Sequence, residues 1–172
     1  MRPAAGEVLH FSEDPNIQVF RPHVAKPAQE STAYVWAVGA DRAPDYWFPR
    51  QCPRAMAWVG PSTTPEDQAR ILGAGSDTRV HAVEYGWLDT MRTVELYAYR
   101  LPAAPFSLSD AAFVATTEVR PLGPPERVGD LFELHAEAGI QLRVLNRLHD
   151  FWAETIASTL EWSGIRMRNA RP

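Results

Sequence analysis

Short apolar runs, separated by prolines and polar turns, fill the first two-thirds of the chain. Residues 93–101 alternate between apolar and polar side chains with a period of two, which predicts a β-strand. Aromatic and β-branched runs elsewhere predict further strands, because such side chains fit a half-buried pleated surface. These strands are predicted over residues 7–11, 34–38, 55–59, 80–85, 113–119 and 140–145. We expect residues 113–119 to pair with residues 93–101.

Helical spacing of apolar residues becomes the main pattern in the last third of the chain. Local signals mark some of the boundaries. Thr64 before Pro65 is typical of a helix start, whereas Gly73 and Gly164 are typical of the residue that follows a helix. Helices are predicted over residues 65–72, 127–139 and 148–162, and shorter helical turns over residues 41–48 and 87–91.

The order of these elements favours an α+β fold. Strands precede helices without regular β-α-β alternation, which argues against a doubly wound protein. We expect one mixed, largely antiparallel sheet, with the helices concentrated in the C-terminal third. The length of 172 residues fits a single domain over residues 1–172. A polar, proline-containing stretch at residues 24–32 is predicted to be a surface loop.

Composition excludes several classes of function. Lysine and arginine number 17 against 21 aspartates and glutamates, and this net charge of -4 argues against a non-specific nucleic-acid partner. Cys52 is the only cysteine, so an intramolecular disulfide and a cysteine-based zinc site are both excluded. The first residues lack the apolar run of a signal peptide, and no stretch approaches the roughly 18 apolar residues of a membrane span. We therefore expect a cytoplasmic protein with no membrane partner.

No Walker A, GxGxxG, HExxH or GxSxG motif is present, so the candidates are polar groups at predicted strand ends. His10 and Ser12, followed by Glu13 and Asp14, close the first strand. An imidazole beside a hydroxyl suits nucleotide binding, and His10 with either carboxylate suits a metal ion. The structural alternative is a strand-end histidine followed by a capped turn.

Three further groups have a functional and a structural interpretation. Glu118 ends a predicted strand, where a sheet can hold a carboxylate against a substrate, although such a residue is more often solvated. Cys52 lies between two arginines that could lower the pKa of its thiol, but no general base lies nearby in sequence, so an inert cysteine is the favoured interpretation. Arg166 and Arg168 suit either a phosphate clamp or salt bridges that fasten the C-terminal tail.

Three segments carry a resemblance that runs nearly end to end. They are Leu-His-Phe-Ser-Glu-Asp-Pro near the start, Tyr-Trp-Phe-Pro-Arg-Gln-Cys-Pro-Arg in the middle, and Ala-Ser-Thr-Leu-Glu-Trp-Ser-Gly-Ile-Arg-Met-Arg-Asn-Ala near the end. Through them the chain resembles a family of uncharacterised bacterial proteins, which brings no assigned activity with it.

A looser resemblance is to the ADP-ribosyltransferase superfamily of the diphtheria-toxin type. It rests on the order of a histidine strand, an aromatic strand with a helical tyrosine, and a late strand with a glutamate. The resemblance implies an ADP-ribosyltransferase-like fold, NAD as cofactor, and either ADP-ribosyl transfer or NAD hydrolysis. It implies that His10 with Ser12 binds the adenosine ribose, that Tyr34 or Trp36 and Tyr46 pack the nicotinamide, and that Glu118 is the catalytic carboxylate.

Three hypotheses about function remain open on the sequence. The first is an enzyme, or a degenerate enzyme, whose small-molecule ligand is NAD or an ADP-ribosyl nucleotide. The second is a non-catalytic binding or interaction protein in which the same polar residues serve caps and salt bridges. The third is a metal-dependent hydrolase that uses His10 with Glu13 or Asp14.

Overall fold

Ten strands and four helices form in the computed structural model, which describes residues 1–24, 32–75, 77–109 and 112–172. The strands are β1 (Glu7–Ser12), β2 (Val35–Ala37), β3 (Arg54–Trp58), β4 (Arg79–Glu84), β5 (Tyr97–Pro102), β6 (Ser107–Ser109), β7 (Ala112–Ala115), β8 (Glu126–Arg127), β9 (Gln141–Leu145) and β10 (Glu161–Ile165). The helices are α1 (Pro65–Leu72), α2 (Leu88–Thr93), α3 (Leu131–Glu137) and α4 (Leu148–Ile156). Apart from its two end residues, the loop predicted over residues 24–32 lies outside the described residues.

The chain divides into two compact units, each built from two separate stretches. The first unit comprises Met1–Trp47 and Glu95–Gly129, and the second comprises Phe48–Val94 and Asp130–Pro172. Each unit is completed only after the chain has left it and returned. The prediction of a single domain stays a prediction.

The first unit contains two antiparallel three-stranded sheets, ordered β1-β5-β8 and β2-β7-β6. A backbone bridge between Leu9 and Val38 joins β1 to the chain just after β2. Alternation along β1 directs Val8 into a core with Phe20 and Tyr99, and directs Leu9 to the opposite face. Both faces of β1 are therefore covered within this unit.

The second unit contains a four-stranded sheet, ordered β10-β3-β4-β9. Only β4 and β9 are parallel among the pairs of described strands. Small residues such as Ala57 and Ala82 bring α1 and α4 close to one face, where Ile71, Leu148 and Phe151 pack against them. The predicted α+β class and the largely antiparallel pairing are confirmed, although three sheets form instead of one.

The expectation that helices concentrate in the C-terminal third is wrong, because α1 and α2 both lie before residue 100. Local signals set the limits of α1 as predicted. Thr64 accepts a hydrogen bond from the backbone N–H of Asp67, Pro65 begins the helix, and Gly73 follows it with a φ of 95°. Across the described residues, no helix has the length and apolarity needed to cross a membrane.

The helix predicted over residues 148–162 ends at Ile156, and the chain then turns into β10. Ser158 closes this turn by donating from Oγ to the carbonyl of Thr155 at 2.7 Å. Gly164 lies within β10, paired with Ala55, so it is not the residue that ends a helix. A Cβ on Gly164 would come within 2.8 Å of the Trp152 ring, and this contact explains the glycine.

Strand β5 begins at Tyr97, four residues later than predicted, because Thr93 still belongs to α2. The predicted pairing of residues 113–119 with this strand is also wrong. Strand β7 lies between β2 and β6, whereas β5 lies between β1 and β8. Alternation of apolar and polar residues determines which face of a strand is buried, but it does not specify which strand lies beside it. The neighbours of β7 could therefore not be predicted from the alternation.

Candidate functional site

The ring of His10 is held by the backbone of the neighbouring strand. Its Nδ1 lies 2.7 Å from the carbonyl oxygen of Trp36, which can only accept a hydrogen bond. Nδ1 therefore carries a proton, and in the neutral form of the imidazole Nε2 is the acceptor nitrogen. The Phe20 ring packs against the imidazole with the ring centroids 4.6 Å apart. This arrangement fixes both the orientation and the tautomer of His10.

Ser12 is buried at the end of β1 and shapes the turn that follows. Its Oγ accepts a hydrogen bond from the backbone N–H of Asp14 at 3.1 Å. The hydroxyl of Tyr99 donates to the carbonyl of Asp14 at 2.6 Å and accepts from the N–H of Ile17 at 3.0 Å. Ser12 thus caps the turn after β1, which was the structural interpretation of this segment. Together with the two hydrogen bonds of Tyr99, this contact makes the turn rigid.

The predicted aromatic residues of β2 lie on the face opposite its core residues. Val35 and Ala37 join the core of the first unit, so Trp36 between them points the other way. Tyr34 meets Trp36 edge to face, with centroids 5.8 Å apart. These two rings form one aromatic pair.

Tyr46 belongs to a short 3-10 turn over Ala43–Tyr46 and stacks on Phe11. The two rings are 6.4 Å apart and nearly parallel, at 7°. Phe11 alternates with His10 along β1, so Tyr46 lies on the other face of that strand from the imidazole. The structure therefore brings His10 and Ser12 together on one face and leaves Tyr46 on the other.

Trp36 carries an unpaired donor. Its indole Nε1 is buried and has no hydrogen-bond partner among the described residues. Leaving a buried donor unpaired costs about 1–3 kcal/mol. An acceptor beyond the described residues, such as one on a ligand or a water molecule, would remove that cost.

Phe20 connects the segments that carry His10 and Glu118, because its ring contacts His10 and its backbone pairs next to Glu118. The Phe20 backbone pairs with Val119, the residue after Glu118. The Glu118 carboxylate accepts a hydrogen bond from Nε of Arg21 at 2.8 Å, and its side chain is 55% exposed. The predicted carboxylate is therefore a surface group that already has a cationic partner.

A groove of about 500 Å³ lies in the first unit beside these segments. Its walls come from the turn after β1 and from the chain that follows Val119. The described residues that line it are Pro15, Ile17, Gln18, Arg120, Pro121, Gly123, Pro124 and Pro125.

The third hypothesis, a metal-dependent hydrolase, gains no support from this geometry. Nowhere in the described part of the chain do three or more histidine, cysteine, aspartate or glutamate side chains come together to hold a metal ion. His10 directs Nδ1 to a backbone carbonyl instead.

The three segments that carry the resemblance to uncharacterised bacterial proteins all lie within one family match. The sequence model of a family of unknown function, DUF6886, matches residues 9–170. The chain is a DUF6886 protein. No curated protein and no solved structure matches it. The resemblance to ADP-ribosyltransferases gains no support from these comparisons.

The second unit of the DUF6886 chain contains a buried histidine pair that the sequence did not reveal. Arg79 donates from Nε to Nε2 of His81 at 2.9 Å, so His81 carries its proton on Nδ1. That Nδ1 donates to Nε2 of His135 at 3.0 Å, and Nδ1 of His135 donates to the carbonyl of Leu131 at 2.6 Å. Both rings are buried, and Phe48 packs on both. The only signal in the sequence was that each histidine interrupts an apolar pattern, His81 in the predicted strand over residues 80–85 and His135 in the predicted helix over residues 127–139.

Cys52 does not have the activated thiol that its neighbouring arginines suggested. Burial raises its pKa to about 12, and the attraction of Arg54 is too weak to offset the lost hydration. The negative charge of Glu84 adds to the upward shift. The thiol is therefore protonated at neutral pH, in agreement with the inert interpretation and not with the nucleophile.

The C-terminal tail is fastened within the second unit by hydrogen bonds that each join a side chain to a backbone atom. Arg166 donates from Nε to the carbonyl of Arg50 at 3.3 Å. The backbone N–H of Arg171 donates to the buried carboxylate of Glu84 at 3.0 Å. The contact with the Arg50 carbonyl favours the fastening role over a phosphate clamp for Arg166, although Arg166 forms no salt bridge with any residue that the structure describes.

Proposed function

We propose that the DUF6886 chain binds NAD or another ADP-ribosyl nucleotide through its first unit. The observation that carries this proposal is the hydrogen bond from His10 to the Trp36 carbonyl. In the neutral form of an imidazole held in this way, Nε2 is the acceptor nitrogen, and a ribose hydroxyl is a suitable donor to it. The ligand class comes from the ADP-ribosyltransferase resemblance, in which the corresponding histidine contacts the adenosine ribose.

The aromatic residues support a ligand with a second ring. Trp36 has a buried indole N–H without a partner among the described residues, and Tyr34 lies against it. A dinucleotide is long enough to pass over the end of β1, where Ser12 lies, and so to contact both faces of that strand. The carboxamide oxygen of such a ligand would supply an acceptor for this N–H.

Binding without turnover is the function that the geometry supports best. A carboxylate stabilises a developing oxocarbenium charge most strongly where water is excluded, whereas Glu118 is half-exposed. Turnover remains a second candidate because the Arg21–Glu118 pair is exposed, and opening such a pair costs only about 0–1 kcal/mol. In that reaction the bond from ribose to nicotinamide breaks, a bond to water or an acceptor forms, and the acceptor proton is released.

Calorimetric titration with NAD and ADP-ribose tests the binding proposal. We expect the wild type and His23→Ala to bind and His10→Ala to bind at least about tenfold more weakly, a loss of about 1.4 kcal/mol. His23 is a matched control because its exposed ring lies in the same unit. Equal affinity in all three proteins, or no binding to the wild type, would overturn the proposal.

Release of nicotinamide from NAD tests turnover separately. Loss of release in Glu118→Ala, with the fold and the ADP-ribose affinity retained, would establish an enzyme. No release by the wild type, despite NAD binding, would establish the non-catalytic alternative.

A further inference from the structure

We propose that the groove in the first unit binds the phosphate-bearing part of a nucleotide, with Arg120 as its phosphate ligand. This inference rests on the proposed nucleotide-binding function and assigns it a second contact region. The groove is defined by the turn after β1 and by the chain that follows Val119. Its volume of about 500 Å³ falls within the usual range for small-molecule sites.

One wall of the groove is held by a buried tyrosine. Tyr99 accepts from the N–H of Ile17 and donates to the carbonyl of Asp14. Pro15 lies between those two contacts and restricts the backbone further. The turn therefore needs no rearrangement to receive a ligand, and little conformational entropy is lost on binding.

The opposite wall is fixed by two backbone contacts and several prolines. Val119 pairs with Phe20, and the N–H of Leu122 donates to the carbonyl of Arg100 at 2.9 Å. Pro121 lies between those two residues and, like the other prolines of this wall, limits the motion of the chain. The groove is thus preformed on both sides.

The charge of the groove selects an anion. Arg120 is the only charged side chain among the described residues that line it. A guanidinium group donates two parallel hydrogen bonds to phosphate oxygens, which favours phosphate over a less directional anion. Ile17 and the prolines offer an apolar surface for the adjoining base, and Gln18 adds an amide that can contact polar ring atoms.

The groove also continues from the segments that carry the candidate residues. Pro15 lies three residues after Ser12, and Arg120 lies two residues after Glu118. A nucleotide held at the end of β1 would therefore have its phosphates next to a cation supplied by a rigid wall. The small second-unit groove that contains Arg143 and Arg147 is a weaker candidate, because Asp150 and Glu154 line it too.

Arg120→Gln tests this inference, with Arg127→Gln as the matched control. Arg127 is an exposed arginine of the same unit that lies outside the groove and pairs with Glu95. The probes are AMP, inorganic pyrophosphate, ADP-ribose and uncharged adenosine, each titrated into the full chain. We expect Arg120→Gln to weaken AMP, pyrophosphate and ADP-ribose binding about tenfold or more and to leave adenosine unchanged. Arg127→Gln should bind all four as the wild type does.

The outcomes separate this inference from the proposed function. If Arg120→Gln weakens AMP and pyrophosphate binding while His10→Ala leaves ADP-ribose binding intact, the groove is a phosphate site and the role of His10 is wrong. If His10→Ala weakens ADP-ribose binding and Arg120→Gln does not, the groove assignment is overturned. Failure of the wild type to bind either AMP or pyrophosphate also overturns it, whatever His10 does.

Discussion

Nδ1 of His10 and the backbone carbonyl of Trp36 are joined by a hydrogen bond of 2.7 Å. The same residue of β2 carries an unpaired, buried indole N–H. The bridge between Leu9 and Val38 holds the two chain segments in register, so the imidazole is positioned by the sheet and not by a mobile loop. The Trp36 N–H, which has no partner in the described part of the chain, and the fixed tautomer of the His10 ring lead us to expect a ligand here.

The histidine pair of the second unit should contribute strongly to stability. His81→Leu removes two hydrogen bonds. Nε2 of His135 loses the donor Nδ1 of His81, and Nε of Arg79 loses the acceptor Nε2 of His81. We expect a loss of about 2–4 kcal/mol in the free energy of unfolding, because these groups are buried. Urea denaturation measures the loss, with His149→Ala on the surface as the control. A change within about 0.5 kcal/mol of that control would show that the pair is not structural.

The buried thiol should be inert in the native protein. Because burial raises the pKa of Cys52 to about 12, almost no thiolate is present at pH 8. We expect iodoacetamide to modify Cys52 very slowly in the native protein and rapidly in urea, as followed by mass spectrometry. Rapid modification of the native protein would show that the thiol is accessible and activated.

Asp67 links α1 to the turn before β10 and should make stability depend on acid pH. Its carboxylate accepts from the N–H and the hydroxyl of Thr159, both at 2.8 Å, and from Arg70 at 2.6 Å. The hydrogen bonds from Arg70 and Thr159 lower its pKa from an ordinary 3.8 to about 2. A lowered folded-state pKa stabilises the protein above about pH 3.8, and this stabilisation is lost as the pH falls toward 2.

Comparison of wild type with Asp67→Asn isolates that effect. Thermal unfolding at pH 6 should show a lower midpoint for the variant, and the difference should shrink as the pH is lowered from 4 to 2.5. A difference that does not change with pH would mean that the charge of Asp67 contributes nothing.

Glu84 should stabilise the start of α4 and the end of the chain together. Its buried carboxylate accepts from the backbone N–H of Leu148 at 3.1 Å and from that of Arg171 at 3.0 Å. Glu84→Ala leaves both donors without this acceptor, so we expect a loss of about 2–4 kcal/mol, and a smaller loss in Glu84→Gln, which keeps one oxygen. Hydrogen exchange at Leu148 should accelerate in Glu84→Ala. Unchanged exchange and stability would contradict this role.

The parts of the fold that could be predicted are those set by local chemistry. Thr64, Pro65 and Gly73 determine α1 within a few residues, so its limits were available from the sequence. The end of α4 was not, because the apolar residues Leu160 and Trp162 fit the helix predicted over residues 148–162. In the structure Leu160 lies in the turn after α4, and Trp162 belongs to β10, where it pairs with Ala57 of β3. Tertiary contacts override local preference there.

The candidate site divides in the same way. His10 and Ser12 were predicted as binding residues from their place at a strand end; the structure puts both on one face of β1, and their binding role stays a prediction. The position of Tyr46 on the other face depends on how the 3-10 turn packs against Phe11. The pair of His81 and His135 joins residues far apart in sequence, so no spacing could reveal it.

Nitrogen-15 NMR of the His10 imidazole, with and without ADP-ribose, tests the central claim most directly. We predict that the neutral ring of the free protein is protonated on Nδ1 and that ADP-ribose shifts the Nε2 resonance as a hydroxyl donates to it. His10→Ala identifies the signal. A ring protonated on Nε2, or an Nε2 resonance that saturating ADP-ribose leaves unmoved, would contradict the assignment of His10 as the ribose contact.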